Sequence, residues 1–551
     1  MSYDGWEADE VDESMLMHGR GQDVMYDYDG YEDYADQHGD LMYGSEIQDP
    51  QELIEYRMET HDIKLELSHL ASNCVTSVLS SSISQLKVLL ISCVILRLAI
   101  CLFQYLNIES RPFYKMILHM LSCSLGIFVL YDLFEDVYQV MGWVTFGLVT
   151  VSYICIWGFY NSSYSSSAIT GFVAVSGILF GEFYYSNPKM WNRIRGVVLL
   201  MCMKVISVAV DYRSGKMAGS LPSVLEYCAY CLHPGSVIFG PWLSLQEFRE
   251  SILVRRLNNV DFFWCIIKNS ISGMICLVLC MCVIPHLFMD PLEPQLPLIL
   301  PVVAGPWLLA YKSAVSFHFS HYYVCYIATL TSQLAGTGIA KVSSKKFKDE
   351  QDNQSQNRKD KNKNGKPEEI YSWSNFVITR PLDIEIPRSM LDVVVAWNIP
   401  MSKWLKYYVF DTTRFLGNFS ALLFSYAASA ILHGLNLHLA AILLTLCLYT
   451  YIENALRLKL SKIFNCNAIQ SRPPRKVTSP IPIWARLFNF MWILINLMHL
   501  AYLGTANIFQ DEEDEHGIHG YSITHTLKKW GQLGFTSHIF AAACLLFNWF
   551  I

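Results

Sequence analysis

The stretch Tyr426-Ala427-Ala428-Ser429-Ala430-Ile431-Leu432-His433-Gly434 sets one ionisable side chain among small and apolar ones. It closes an apolar run over 417–435, and a second run, 436–456, follows at once. A hydrocarbon core of about 30 Å takes about 20 helical residues, so two such runs in tandem read as a hairpin of membrane helices. A histidine inside such a hairpin is costly to bury and is a functional candidate by default. Taken alone, it is more often a hydrogen-bonded packing residue. His438 lies five residues on, and at about 100° per residue it falls on another helical face, so the two are no obvious metal pair.

Working outward, the same character continues. Further apolar runs cover 86–107, 114–132, 136–158, 167–185, 196–211, 224–243, 262–288, 296–313, 315–340, 482–505 and 533–551. The 196–211 run is short, and 224–243 is interrupted by His233-Pro234-Gly235 and Gly240-Pro241. Broken helices at membrane depth survive only where protein or a water-filled cavity covers them. Composition agrees: of 551 residues, 52% are hydrophobic and 16% charged, against about 25% charged in soluble domains. A soluble enzyme, a disordered scaffold and a disulfide-stapled secreted module are excluded. The expected fold is an all-α polytopic membrane protein of ten to twelve transmembrane helices, with re-entrant and interfacial pieces.

The charge divides the chain. Met1–Pro50 holds fifteen acidic residues and one basic residue, Arg20, so 1–70 reads as an acidic disordered tail. Asp27, Asp29 and Gly30 suggest a calcium loop, but its first position would be Met25 and its twelfth Asp36 rather than Glu. The tail has no basic n-region or early apolar h-region, so the first span is expected to serve as the insertion signal. Residues 85–340 read as the first part of a membrane core, 341–369 as a basic low-complexity loop, 370–505 as the second part, and 506–551 as an acidic loop with a last span. The basic loops at 341–369 and after 456 are expected on the cytoplasmic side, and Asp511–Glu515 on the other. The His433 turn then lies away from the cytoplasm. Between them, 387–416 mixes aromatic and basic residues in the manner of an interfacial helix. No basic face of nucleic-acid type occurs.

Other polar groups in apolar surroundings are candidates. Asn398, ending the run Val393–Ala396 after Trp397, can orient a reacting group or bond a developing oxyanion. It can equally cap a helix. Lys204 and Asp211, seven apart, share a helical face and can line a polar channel, or can be a snorkelling Lys and a helix-end Asp. Arg97 suits snorkelling or an internal pair. Cys228 and Cys231 form a CxxC before His233, without the second CxxC or paired His of a zinc site. Most other cysteines sit in apolar runs as small hydrophobes. Asn418-Phe419-Ser420 is a glycosylation sequon that opens a membrane run. Zinc-helix, P-loop and GxSxG motifs are absent.

The segment Ala396-Trp397-Asn398-Ile399-Pro400-Met401-Ser402-Lys403-Trp404-Leu405 and then Ser429–Gly434 resembles the membrane-bound O-acyltransferase family. The runs Met203–Ser207 with Asp211, and Ser236–Trp242, are similar to family signatures. The finer wording around Trp397 and His433 resembles the branch that acylates Wnt proteins. The resemblance covers about 85–505. It implies helices enclosing a catalytic tunnel, with His433 and Asn398, 35 residues apart, as the catalytic pair. It implies Trp397, Ser402, Trp404, Lys204 and Asp211 as substrate-binding residues, and no metal. It implies palmitoleoyl-CoA as acyl-donor substrate with no bound cofactor, a Wnt serine hydroxyl as acceptor, and the endoplasmic reticulum membrane. Two other readings compete: a family enzyme esterifying a sterol or diacylglycerol, and a transporter, which would need inverted repeats that the apolar pattern lacks.

Overall fold

The computed structural model describes residues 70–106, 112–159, 166–184, 188–215, 221–253, 259–287, 299–341, 371–433, 437–473, 480–505 and 523–551. The acidic tail, the calcium-like loop, nearly all of the basic loop and the acidic 511–515 segment lie outside these residues. The described chain from Ala71 onward is one compact unit. Its first half comprises α1 (Thr76–Tyr105), α2 (Pro112–Leu133), α3 (Tyr138–Gly158), α4 (Ser166–Tyr184), α5 (Pro188–Arg213), α6 (Val224–Cys231), α7 (Leu245–Leu253), α8 (Asn259–Val278) and α9 (Ile299–Leu334). The second half comprises α10 (Pro381–Glu385), α11 (Met390–Trp397), α12 (Ile399–Leu405), α13 (Asn418–Leu432), α14 (Leu437–Ile463), α15 (Ile483–Gly504), α16 (Ile523–Gln532) and α17 (Thr536–Phe550).

The surface is that of a membrane protein. Large side chains such as Phe146, Ile154, Phe172, Trp264 and Ile271 are exposed, while lysine and arginine are found in the interior. The exposed apolar faces are those that lipid covers. α9 packs along both α8 and α15, α4 along α5, and α13 along α14.

Among the described residues, seven helices are long and apolar enough to cross a membrane, or up to eight if the bent α16–α17 pair is one span. Several of the apolar runs behind the expected ten to twelve spans take a different form in the structure. The 296–313 and 315–340 runs fuse into α9, a helix of 36 residues. Arg195, Lys204 and Asp211 break the apolar character of α5. The 533–551 run belongs to a pair bent by 81°, where Gly534 and Phe535 take positive φ of 61° and 50°. Left-handed backbone is natural for glycine and strained for phenylalanine.

The interrupted 224–243 run shows how a broken helix is tolerated at depth. α6 stops at Cys231, and a 3₁₀ turn, Pro234–Ser236, follows. Lys204, 1% exposed, donates to the carbonyls of Tyr230 (3.1 Å), Cys231 (3.0 Å) and Ser236 (3.2 Å), and to Ser236 Oγ (3.0 Å). One ammonium thus serves the orphan carbonyls of a helix end, where the macrodipole also favours a cation.

A second buried cation organises the other half. Arg457 is fully buried. Its five N–H groups donate to Ile469 O, Arg388 O, Glu453, Gln470 O and Asn489 Oδ1. The planar guanidinium fork suits such saturation. Glu453 also accepts the Met390 amide at 2.7 Å, at the first turn of α11. This hub ties α14 to the start of the segment that carries Trp397 and Asn398.

At the mouth of the basic loop, β1 (Ala340–Lys341) and β2 (Tyr371–Ser372) pair antiparallel, Ala340 opposite Ser372 and Lys341 opposite Tyr371. The ribbon brings together the residues on either side of the 342–370 segment. Arg97 has no ion-pair partner among the described residues; its guanidinium lies over the rings of Phe262 (5.2 Å) and Trp373 (5.0 Å). A disulfide joins Cys74 to Cys282, tying the start of α1 to the chain after α8.

Candidate active site

α13 has 15 residues, about 22 Å of helix, too short to cross the hydrocarbon core. His433 is its C-terminal cap residue, and its amide bonds the carbonyls of Ser429 (3.0 Å) and Ala430 (3.2 Å). The two runs of the sequence hairpin thus become two helices that meet at His433. The imidazole is accessible rather than packed. Arg195 of α5 and His321 of α9 both act on it electrostatically. Neither ring nitrogen has a hydrogen-bond partner among the described residues.

Asn398 occupies the break between α11 and α12, with φ −143° and ψ 94°. Its Oδ1 accepts the Met401 amide at 3.0 Å, so it is a helix cap. The cap uses only the oxygen. The carboxamide NH₂, which can only donate, has no partner among the described residues. Capping and oxyanion stabilisation are therefore compatible in one side chain.

Trp397 is held against α9. His321 stacks on its ring with centroids 4.0 Å apart and planes 5° apart. His321 Nε2 lies 2.8 Å from the Trp397 carbonyl, to which it donates. Phe317 and His318 pack on the same indole. His318 Nδ1 bonds Glu385 at 3.0 Å, and the Tyr322 hydroxyl donates to the same carboxylate oxygen at 2.6 Å. Trp397 at the end of α11 thus packs on α9, and His321 of that same stretch is coupled electrostatically to His433. The sequence reading missed His321, His318 and Glu385. The signal was there, for Phe317-His318-Phe319-Ser320-His321 puts two histidines three apart on one face of an apolar helix.

The other expected site residues are engaged elsewhere. Lys204 serves the α6 break. Trp404 is 3% exposed, and its indole donates to Met203 O at 3.1 Å. Asp211 accepts the Tyr408 hydroxyl at 2.7 Å. Ser402 Oγ donates to Val394 O at 2.9 Å. The last three tie α5 and α11 to α12 and the chain after it. The expected interfacial helix over 387–416 is therefore several short elements, with Trp404 in the core where its N–H finds a carbonyl.

Among the described residues no three His, Cys, Asp or Glu side chains are arranged to hold an ion. A cavity of about 450 Å³ opens beside α12. Trp242, Glu247, Lys341, Tyr371, Pro400 and Lys403 are among its lining residues.

The comparisons show the family. The model of the membrane-bound O-acyltransferase family matches residues 183–502, a span holding all seven expected site residues. Human protein-serine O-palmitoleoyltransferase porcupine is 32% identical over 447 residues, covering 78% of this chain and 88% of the human protein. The Anopheles gambiae porcupine is 28% identical, covering 72% and 77%. Lysophospholipid acyltransferase 2 of Arabidopsis thaliana is 22% identical, covering 49% and 59%. The apolar helical bundle, the histidine at a helix hairpin, the family match and the breadth of these alignments lead to one conclusion: the chain belongs to the membrane-bound O-acyltransferase family and is an acyltransferase.

Proposed function

We propose that the protein transfers a palmitoleoyl group from palmitoleoyl-CoA to a serine hydroxyl of Wnt proteins, in the endoplasmic reticulum membrane. The carrying observation is His433: an accessible imidazole, unbonded among the described residues, in electrostatic reach of the His321–Trp397 pair. The porcupine relatives, aligned over most of both chains, support a protein serine as acceptor.

In this reading the neutral His433 imidazole takes the serine proton as the oxygen attacks the thioester carbonyl. The C–O bond forms, and the carbonyl becomes a tetrahedral oxyanion. The Asn398 NH₂ donates to that oxygen. The C–S bond then breaks, and the departing thiolate of coenzyme A receives the proton from His433. The enclosing helices align the reactants and keep water from the thioester. The 450 Å³ cavity supports a cytosolic seat for the nucleotide end of CoA. Lys403, which lines it, has no ion-pair partner among the described residues. Its helix, α12, starts beside Asn398, so phosphates and thioester would be held from one element.

The Cys74–Cys282 bond supports the compartment and the orientation. A disulfide persists in an oxidising space such as the endoplasmic-reticulum lumen. It sits where α8 ends, opposite the end from which the basic 342–370 excursion leaves α9. Basic loops on the cytosolic side and a disulfide on the lumenal side are the same orientation reached from different chemistry.

The test is purified protein with palmitoleoyl-CoA, offered a Wnt serine peptide against a sterol and a diacylglycerol. Acyl ester on the peptide is expected. Ester on a lipid alcohol instead would assign a lipid-modifying enzyme. A hydroxylamine-labile acyl-enzyme formed without acceptor would overturn direct transfer.

A further inference from the structure

The Trp397–Asn398 peptide is immobilised from every side. Ala396 O accepts both the Arg380 amide and Thr379 Oγ1, each at 3.0 Å. Asn398 O accepts the Ser402 amide at 2.9 Å, and the Ile399 amide donates to Ile378 O at 2.8 Å. Between these backbone anchors, the Trp397 carbonyl is held by a side chain alone, the Nε2–H of His321. The same imidazole covers the Trp397 indole face and lies in electrostatic reach of His433. Two stacking partners, Phe317 and His321, and one edge partner, His318, come from a single stretch of α9. Glu385 fixes His318 and Tyr322 in turn.

We propose that His321 is a positioning residue for acyl transfer: by holding the Trp397 ring and carbonyl together, it sets the Asn398 carboxamide against His433. This rests on the functional reading above for His433 and Asn398 alone. The carbonyl accepts, so Nε2 carries the hydrogen, and in the neutral ring Nδ1 is the bare nitrogen. A tilt of the Trp397 peptide swings the Asn398 side chain, and a misplacement of about 1 Å costs about 10²-fold in rate. The substrate KM has no reason to change, because His321 touches the frame of the site.

The experiment compares His321→Phe, which keeps an aromatic face but no donor, with His321→Gln, which keeps a donor but no ring. His321→Phe is expected to lower kcat about 10²-fold with KM for palmitoleoyl-CoA within twofold. His321→Gln is expected to recover at least part of that loss. In the His321→Phe, Asn398→Ala double variant the losses are expected not to multiply, because His321 acts through Asn398. Turnover is read as release of the CoA thiol, which counts transfer to peptide, to lipid or to water. The wild-type peptide result alone decides the acceptor, so the two ideas fail separately. Wild-type kcat in His321→Phe, or fully multiplicative losses in the double variant, would overturn the proposal. So would equal loss in both single variants that runs parallel to lost monodisperse protein.

Discussion

Two stretches place polar groups deep in the bundle, α5 and the α13–α14 hinge, and they treat them in opposite ways. On α5, Lys204 binds four oxygens, and Ser207 Oγ accepts the Trp242 indole at 3.1 Å. Asp211 accepts from Tyr408. At the hinge, the His433 ring is accessible and unbonded among the described residues. Water cannot serve a polar group at this depth, so a group the fold needs is saturated by protein. A group that must exchange protons with a substrate has to be left open. Intramembrane polarity alone therefore does not mark chemistry; His433 differs from the saturated groups of α5 in being both exposed and unpartnered among the described residues.

The comparison can be broken at its open end first. His433→Ala should lower transfer to a Wnt serine peptide by about 10³-fold while the protein inserts and elutes as wild type. Retained transfer in such a protein would remove His433 from the mechanism. Next, Asn398→Asp keeps the capping oxygen and loses the NH₂ donor. It should lower kcat by about 10²-fold with thermal stability near wild type; wild-type kcat would reduce Asn398 to a cap.

The saturated end should respond in stability instead. Lys204→Met strips the α6 carbonyls of their donor and should lower unfolding stability by about 2 kcal/mol. Thermal melts in detergent would register this, with activity per folded molecule near wild type. A specific loss of acyl-CoA affinity at unchanged stability would make Lys204 a substrate ligand after all. Smallest of all, Tyr408→Phe removes one bond to Asp211 and should cost about 1 kcal/mol and less than about threefold in kcat. A larger kinetic effect would mean that the α5 contact reaches the site.

Much of the candidate site was legible from the residues, and the gaps have a common cause. His433 stood out because an ionisable group among Ala, Ser, Ile and Leu is anomalous in an apolar run. Asn398 was open between cap and oxyanion donor, and the geometry makes it a cap with its donor unspent. His321 was overlooked because an aromatic-rich helix hides a histidine among Phe and Tyr. Its meaning depends on Trp397, 76 positions away in the chain. For Lys204 and Asp211 the shared face of α5 left a polar channel and a snorkelling Lys with a helix-end Asp both open, and the substrate role came from the resemblance alone; their hydrogen-bond partners lie on other segments of the chain.

By itself the sequence determined the solvent. With 16% charged residues and runs of helical length, the chain can satisfy its backbone in lipid only as helices. Apolar patterning is local, so the chain order and the hinge at His433 were also readable. Only the tertiary structure decided which buried polar groups are spent and which are free. Hydrogen bonds such as Lys204 to Ser236 and His321 to Trp397 close between distant segments, and no local pattern encodes them. The tertiary fold likewise made one helix of two apolar runs at α9 and several short elements of an expected amphipathic one. Helix length and breaks at membrane depth are set by what can cover the orphaned carbonyls.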